Sequence, residues 1–248
     1  MVAKLPLSGH KVLVTRPQQQ AKALADMITQ QGGEAIVFPV IEINKINTGS
    51  EVSVSPIDAD VIIFVSRNAV HAFFSENKPE IPASTLVVAV GKGTAETLAQ
   101  HGHAQVLCPT QAIGSEGVLM LAELENVVDK NIVIVRGRGG RELLADTLAT
   151  RGAKISYLEV YERKLPSATV EQCNQAYTAD IIVCTSVEGV TNLCSLLNKD
   201  IEHVFKKALI VLSERIKQHA LSLGFKDVMI SADASDQAVI QRLMEMER

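Results

Sequence analysis

Three arginines in one short glycine-rich segment are the residues best suited to chemistry. The segment runs Arg136-Gly-Arg-Gly-Gly-Arg141. It follows the β-branched apolar run 132–135, typical of a buried strand, and precedes leucines at helical spacing in residues 142–151. A flexible cationic loop at the start of a helix can bind anions, because the helix N-terminus adds unpaired N–H groups. We therefore predict that Arg136, Gly137, Arg138 and Arg141 bind an anionic ligand. The alternative for each arginine is a solvated surface charge.

Small polar or cationic residues follow other predicted strands in the same way. In parallel sheets such strand ends meet at one edge, where ligands bind. Several of these residues would together suit a small polyanion. For each Ser or Thr the alternative is a helix cap with no further role. The candidates are Arg16, Ser66, Thr94, Ser186 and Ser213.

Several well-known chemistries are excluded by direct tests of the sequence. The dinucleotide pattern GxGxxG starting at Gly137 fails, because Glu142 stands where the third glycine is needed. A phosphate-binding loop ending at Gly91-Lys92 fails, because Leu86 occupies its first glycine position. The six histidines and four cysteines do not show the spacing of a metal site, so we predict no metal and free thiols.

The bulk properties of the chain narrow the possible partners. The net charge of -4 and only nine Phe and Tyr residues argue against a nucleic-acid partner. No apolar run approaches the roughly 20 residues of a membrane span, and we see no signal-peptide pattern at residue 1. We therefore expect a cytoplasmic protein with no membrane partner.

An internal repeat organises the chain. With an offset of 120, Arg16 falls on Arg136 and the segment 60–66 falls on 180–186. With an offset of 122, the segment 86–91 falls on 208–213. Each copy supplies five short strands alternating with helices. The strands are predicted near 11–15, 35–38, 60–65, 86–90 and 105–107, and near 132–135, 154–158, 180–184, 208–212 and 227–230.

The predicted fold is α/β, with two similar lobes, each a five-stranded parallel sheet with flanking helices, joined by a two-stranded link. Two divisions of the chain are compatible with the repeat. In the tandem division the lobes are 1–125 and 126–248. In the crossing division lobe 1 is 1–38 with 166–248, lobe 2 is 46–156, and residues 39–45 and 157–165 are inter-lobe linker strands. Either division would place a cleft between the lobes.

Tyr161 is the remaining candidate, because it lies in the predicted link while the equivalent residue of the first copy is Ile41. Glu42 and Glu162, also equivalent in the repeat, are expected to be solvated strand residues. A tyrosine at this place could reach a bound ligand with its hydroxyl. The alternative is a packed aromatic ring whose hydroxyl reaches solvent.

Taken together, the segments resemble the uroporphyrinogen-III synthase family over nearly the whole chain. The resemblance rests on their order and spacing. The segments are Val-Leu-Val-Thr-Arg-Pro17, Ile-Phe-Val-Ser66 with Asn-Ala-Val70, Val-Ala-Val-Gly-Lys-Gly-Thr94-Ala, Ile-Val-Arg-Gly137 with Arg-Glu-Leu-Leu144, and Val-Tyr161.

The resemblance implies a bilobed enzyme with the crossing division, which we favour for that reason. It implies cyclisation of the linear tetrapyrrole hydroxymethylbilane, with inversion of the last ring and loss of water, and no cofactor or metal. It assigns the family's functional tyrosine, threonine and serine to Tyr161, Thr94 and Ser66. We expect Tyr161 to assist departure of the substrate hydroxyl, and the arginines to hold substrate carboxylates. We also expect a monomer that receives its substrate from the preceding bilane-forming enzyme.

Two departures from the family pattern stand in this sequence. Val65 replaces the threonine that precedes the family serine, and Ser213-Glu-Arg-Ile-Lys217 replaces a loop usually rich in threonine, so no threonine role is transferred there. A bilobed protein that binds a small polyanion without chemistry is the alternative from another functional class. A nucleotide-dependent transferase is less favoured, because both phosphate motifs fail.

Overall fold

A computed structural model of the protein describes residues 5–46, 58–75, 80–110, 112 and 114–246. Strands and helices alternate along these residues. The strands are β1 (Lys11–Val14), β2 (Glu34–Val37), β3 (Glu42–Lys45), β4 (Val61–Phe64), β5 (Leu86–Ala89), β6 (Asn131–Gly137), β7 (Lys154–Lys164), β8 (Ile181–Val183), β9 (Ala208–Val211) and β10 (Val228–Ile230). The helices are α1 (Gln18–Gln30), α2 (Arg67–Phe73), α3 (Lys92–Gln100), α4 (Gly114–Leu119), α5 (Leu143–Thr150), α6 (Val170–Tyr177), α7 (Val187–Leu196), α8 (Ile201–Phe205), α9 (Glu214–Leu223) and α10 (Asp236–Glu245).

The chain forms two compact units. The first contains Met1–Glu42 and Lys164–Arg248, and the second contains Ile43–Arg163. The sheet of the first unit has the order β10-β9-β8-β1-β2, and all its pairings are parallel. Val12 of β1 pairs with Ile181 of β8, so this sheet is built from both ends of the chain. A tandem division at residue 125 would separate these paired strands.

The sheet of the second unit has the order β3-β7-β6-β4-β5 and is mixed. Its strands β7, β6, β4 and β5 are parallel to one another. Strand β3 adds an edge next to β7, and Ile46 beyond it donates its N–H to the Val160 carbonyl at 3.1 Å. The predicted fold class, two similar five-stranded sheets with flanking helices, is confirmed. The second sheet differs from the prediction in being mixed rather than all parallel.

Helices cover both faces of the second sheet, which explains why its strand β4 is apolar at every position. Ile62 and Phe64 of β4 pack with α2 and α3 on one face. Val61 and Ile63 pack with α4 and α5 on the other. All four side chains are buried.

An aspartate pair shows the repeat most directly. Asp60 accepts the N–H of Asn131 at 2.8 Å, at the start of β6. Asp180 accepts the N–H of Lys11 at 2.8 Å, at the start of β1. Donors and acceptors are both 120 residues apart, so the same contact begins an interior strand of each sheet. With β1 equivalent to β6, β2 to β7, β8 to β4 and β9 to β5, these four strands have the same order in both sheets.

The predicted strand at 105–107 is wrong, because only a single bridge forms there, between Leu107 and Val88. Leu107 exchanges backbone hydrogen bonds with residues 87 and 89. Pro109 follows two residues later and has no N–H to continue the ladder. The fifth strand of the second sheet is therefore β3 at the opposite edge.

The predicted chain division, with linker strands at 39–45 and 157–165, stays a prediction. Among the residues described, no helix is both long enough and apolar enough to cross a membrane.

Candidate active site

A cavity of about 360 Å³ lies in the second unit, where β4 and β6 end. Six of the residues predicted to bind or act on substrate line it: Tyr161, Ser66, Arg136, Gly137, Arg138 and Arg141. Its other lining residues are Val65, Ser115, Ile134, Gly139, Gly140, Leu144, Ala145, Tyr157 and Arg163. Four arginines, two tyrosines and two serines thus line one cavity, which suits an anionic ligand with apolar parts.

Tyr161 reaches the cavity because the pairing of β6 and β7 is irregular. Arg136 pairs with Glu159, but the next residue, Gly137, pairs with Tyr161, so β7 has one extra residue. Such a bulge resets the alternation of side chains along a strand. Val160 and Tyr161 are consequently both buried in the same core cluster. Tyr161 is packed in this core, with only 2% of its surface exposed.

Gly137 and Ser66 fix the position of the Tyr161 ring. A Cβ atom at Gly137 would lie 2.6 Å from Tyr161 Cζ, so only glycine allows the ring to lie there. Tyr161 Oη lies 3.2 Å from Ser66 Oγ. Ser66 is the N-cap of α2, and its Oγ accepts the N–H of Ala69 at 3.0 Å. Capping and contact with Tyr161 are therefore two roles of the same hydroxyl.

Arg136 is buried and paired with carboxylates. Its guanidinium donates to Glu142 Oε1 at 3.0 Å, and its Nε lies 3.6 Å from Glu159 Oε1. Among the described residues, Nε has no hydrogen-bond partner. The guanidinium also stacks 4.1 Å over the ring of Tyr157. Buried charges need such partners, so Arg136 is a preorganised cation rather than a solvated one.

Glu142 and Tyr157 complete this cluster. The Tyr157 hydroxyl donates to Glu142 Oε2. Burial, followed by this hydrogen bond, raises the pKa of Tyr157 to about 12. The bond from Tyr157, followed by the bond from Arg136, holds the pKa of Glu142 below its ordinary value. At neutral pH, therefore, Tyr157 is a donor and Glu142 is a carboxylate.

Arg138 and Arg141 are two exposed cations of the cavity. Arg138 lies 3.3 Å from Glu162 and 3.7 Å from Glu159. Arg141 lies 3.3 Å from Glu116. About 60% of each arginine side chain is exposed, so these ion pairs are weak and can exchange partners.

Four of the predicted substrate-binding residues lie elsewhere. Thr94 is buried in the first turn of α3 in the second unit. Arg16 is buried in the first unit and forms an ion pair with Asp236. Ser186 and Ser213 cap α7 and α9. None of these four is among the residues described as lining the cavity.

Three residues of the site were not predicted from the sequence: Tyr157, Glu142 and Glu159. Tyr157 and Glu159 are two residues apart on β7, before the bulge, which was a usable signal that these two side chains share a face. Glu142 gave no comparable signal, because its role depends on how the glycine-rich loop turns back. Within the part of the chain that the structure describes, no three His, Cys, Asp or Glu side chains are grouped to hold a metal ion.

Comparisons with known proteins show the family of the chain. The family model described as uroporphyrinogen-III synthase HemD matches residues 22–241. The chain is 31% identical to the uroporphyrinogen-III synthase of Salmonella typhimurium and 30% identical to that of Escherichia coli K12. Each match spans 243 residues, 94% of this chain and 99% of the relative.

Solved structures share the fold at lower identity. The uroporphyrinogen-III synthetase of Helicobacter pylori matches with a TM-score of 0.68 at 18% identity, over 96% of this chain and 99% of that one. A mutant uroporphyrinogen III synthase of Thermus thermophilus matches with a TM-score of 0.62 at 14% identity, over 96% and 100%. The family model and the two relatives confirm the resemblance found in the sequence, and the chain belongs to the uroporphyrinogen-III synthase family.

Proposed function

We propose that the cavity of the second unit is where this protein carries out uroporphyrinogen-III synthase chemistry, with Tyr161 as the catalytic residue. The reaction cyclises hydroxymethylbilane to uroporphyrinogen III, inverts the last ring and releases water. The observation that supports the proposal is the Tyr161–Ser66 hydroxyl pair, 3.2 Å apart, on a wall shared with Arg136, Arg138 and Arg141.

The arginines suit the charge of the substrate, which carries eight carboxylates. Arg138 and Arg141 are exposed enough to exchange Glu162 and Glu116 for substrate carboxylates. Carboxylates bind a guanidinium through paired hydrogen bonds, which fix orientation as well as position. Holding the chain ends together in this way can contribute on the order of 7–11 kcal/mol toward the cyclisation.

Tyr161 has a hydroxyl at the cavity and a ring locked by Gly137. In our proposal this hydroxyl hydrogen-bonds to the departing hydroxyl of the substrate as its C–O bond breaks. The hydroxyl leaves with the C–O bonding electrons, and a cationic azafulvene remains. The azafulvene carbon bonds to the substituted carbon of the last ring and gives a spiro intermediate. The older C–C bond at that carbon then breaks and re-forms at the free α-carbon, which inverts the ring and releases the proton that completes the water. Ser66 positions Tyr161, since its Oγ is itself held by the Ala69 N–H.

The remaining predicted residues stay predictions: Arg16, Ser186 and Ser213 of the first unit, and Thr94. We propose further that the protein acts in the cytoplasm as a monomer, without a cofactor. We also propose that it takes its substrate from the preceding bilane-forming enzyme. Rapid transfer is favoured because hydroxymethylbilane closes spontaneously to the wrong isomer.

The test is to mix the protein with freshly generated hydroxymethylbilane and identify the porphyrinogen isomer. We expect the type III isomer from the wild type, and turnover about 10²–10⁴-fold lower from Tyr161→Phe. Tyr177→Phe is the matched control, because it also removes a tyrosine hydroxyl, but from α6 of the first unit. Full turnover by Tyr161→Phe would refute the role of Tyr161. Substrate binding without turnover by the wild type would instead support a non-catalytic binding protein.

A further inference from the structure

We propose that the Arg136 guanidinium and the Tyr157 hydroxyl form a carboxylate-binding subsite that Glu142 occupies in the unliganded protein. A substrate carboxylate would bind there by displacing Glu142. This inference rests on the proposed function, and it adds a competing internal ligand to the site.

The geometry around Glu142 is that of a bound carboxylate. Its Oε1 accepts from Arg136 at 3.0 Å, and its Oε2 accepts from the Tyr157 hydroxyl. Each oxygen thus has its own donor, the arrangement that a carboxylate ligand would need. The guanidinium lies 4.1 Å over the Tyr157 ring, so the two donors are held in a fixed relation to each other.

The subsite is built into the cavity wall rather than into the surface. Arg136 and Tyr157 both line the cavity. Only 9% of the Arg136 side chain is exposed, and Glu159 lies 3.6 Å from its Nε. Arg136 therefore keeps one acidic neighbour, Glu159, when Glu142 leaves. This limits the free-energy cost of a buried cation that loses a partner during the exchange.

Glu142, by contrast, can leave at little structural cost. Its side chain is 49% exposed. It stands at the N-cap of α5, yet its side chain makes no capping hydrogen bond. Gly139 and Gly140, with φ of 72° and 119°, precede it in the loop. Loss of the Glu142 contacts therefore removes neither a helix cap nor core packing.

An internal competitor would select for polyanions. A ligand with one carboxylate can only replace Glu142 in the subsite, and it must compete with Glu142, which is tethered there at high effective concentration. A ligand anchored elsewhere in the cavity presents its carboxylate at a similar effective concentration. If Glu142 fills the subsite in about nine molecules of ten, affinity for any ligand that needs the subsite falls about tenfold.

The experiment measures binding of uroporphyrin III, the oxidised product with eight carboxylates, by fluorescence titration. We expect Glu142→Ala to bind it about tenfold more tightly than the wild type. Glu142→Gln, which keeps the shape without the charge, should fall between them. The matched control is Glu96→Ala, because Glu96 is an exposed glutamate of α3 paired only loosely with Lys92 at 3.8 Å. It removes the same charge away from the cavity and should leave affinity unchanged.

A second substitution tests the donors themselves. Adding Tyr157→Phe to Glu142→Ala should weaken uroporphyrin III binding again, about fivefold, since a subsite donor is lost. The proposal would be overturned if both Glu142 variants bound uroporphyrin III no more tightly than the wild type. It would also be overturned if Glu96→Ala gained as much affinity as Glu142→Ala. Formation of the type III isomer by the wild type is scored separately. The proposed function can therefore stand while this inference fails.

Discussion

Gly137 lies against the face of the Tyr161 ring, where an added methyl group would be 2.6 Å from Cζ and 2.7 Å from Cε2. The two residues are register partners immediately after the bulge in β6 and β7. The backbone of the next residue, Arg138, donates its N–H to the Tyr161 carbonyl at 2.7 Å. Tyr161 is thus held at its ring, its backbone and its hydroxyl. A hydroxyl that must donate a hydrogen bond at a defined place requires this preorganisation.

Gly137→Ala should displace the Tyr161 ring. We expect it to lower the free energy of unfolding by about 1–3 kcal/mol, as overpacking does in a dense core, and to reduce kcat. Denaturant unfolding and isomer-resolved turnover measure the two effects. Gly93→Ala is the control for stability, because its Cβ would meet only Arg67 at an ordinary 3.6 Å. That substitution in α3 should stabilise by about 0.4–1 kcal/mol. Unchanged turnover in Gly137→Ala would contradict the tight packing of Tyr161.

Ser66→Ala should separate the two roles of the Ser66 hydroxyl. Loss of the cap of α2 is expected to reduce stability by about 0.5–2 kcal/mol. Loss of the contact with Tyr161 is expected to lower kcat with little change in KM, because Ser66 positions a group that acts in the transition state. Ser235→Ala is matched to it, since Ser235 caps α10 through Ala238 at 3.1 Å. It should show the stability loss alone. Equal kinetic effects in both variants would leave Ser66 only a capping role.

Arg138→Ala should raise KM by about twofold to fivefold and flatten its dependence on salt. The reason is that Arg138 is an exposed cation of the cavity whose attraction to carboxylates is screened by ions. Lys154 is a comparable exposed cation, with 67% of its side chain accessible, but it stands at the first residue of β7. Lys154→Ala should leave KM and its salt dependence unchanged. An unchanged KM for Arg138→Ala at low salt would remove Arg138 from the substrate-binding set.

The repeat made much of this architecture predictable. Asp60 and Asp180, like Ser66 and Ser186, stand 120 residues apart and make equivalent contacts, so spacing alone located interior strands and two helix starts. The fifth strand of the second sheet could not be located in that way. The segment equivalent to β10 is ended by Pro109, and the sheet gains β3 at its opposite edge.

The site was predictable in its cations but not in its carboxylates. Arg136, Arg138 and Arg141 stand out in the sequence because they alternate with glycine. Their partners come from β7 and from the start of α5, so they depend on strand register and loop closure. The contact between Tyr157 and Glu142 was unpredictable for the same reason, since it joins residues brought together only when the loop folds back.

Tyr157 should titrate near pH 12 in the folded protein, above the ordinary value of 10. Burial is the first cause and the hydrogen bond to Glu142 the second. Because the folded pKa is raised, the folded state holds this proton more tightly than the unfolded state. The resulting stabilisation is complete below pH 10 and is lost as pH rises from 10 to about 12.

An absorbance titration of phenolate formation, wild type minus Tyr157→Phe, isolates this group. We expect the difference step near pH 12, and a stability advantage of the wild type that shrinks between pH 10 and 12. In Glu142→Ala the step should move down but stay above 10, because burial persists. A difference step at 10 in the wild type would mean that Tyr157 is solvated and does not donate to Glu142. The carboxylate-binding subsite would then lack its second donor.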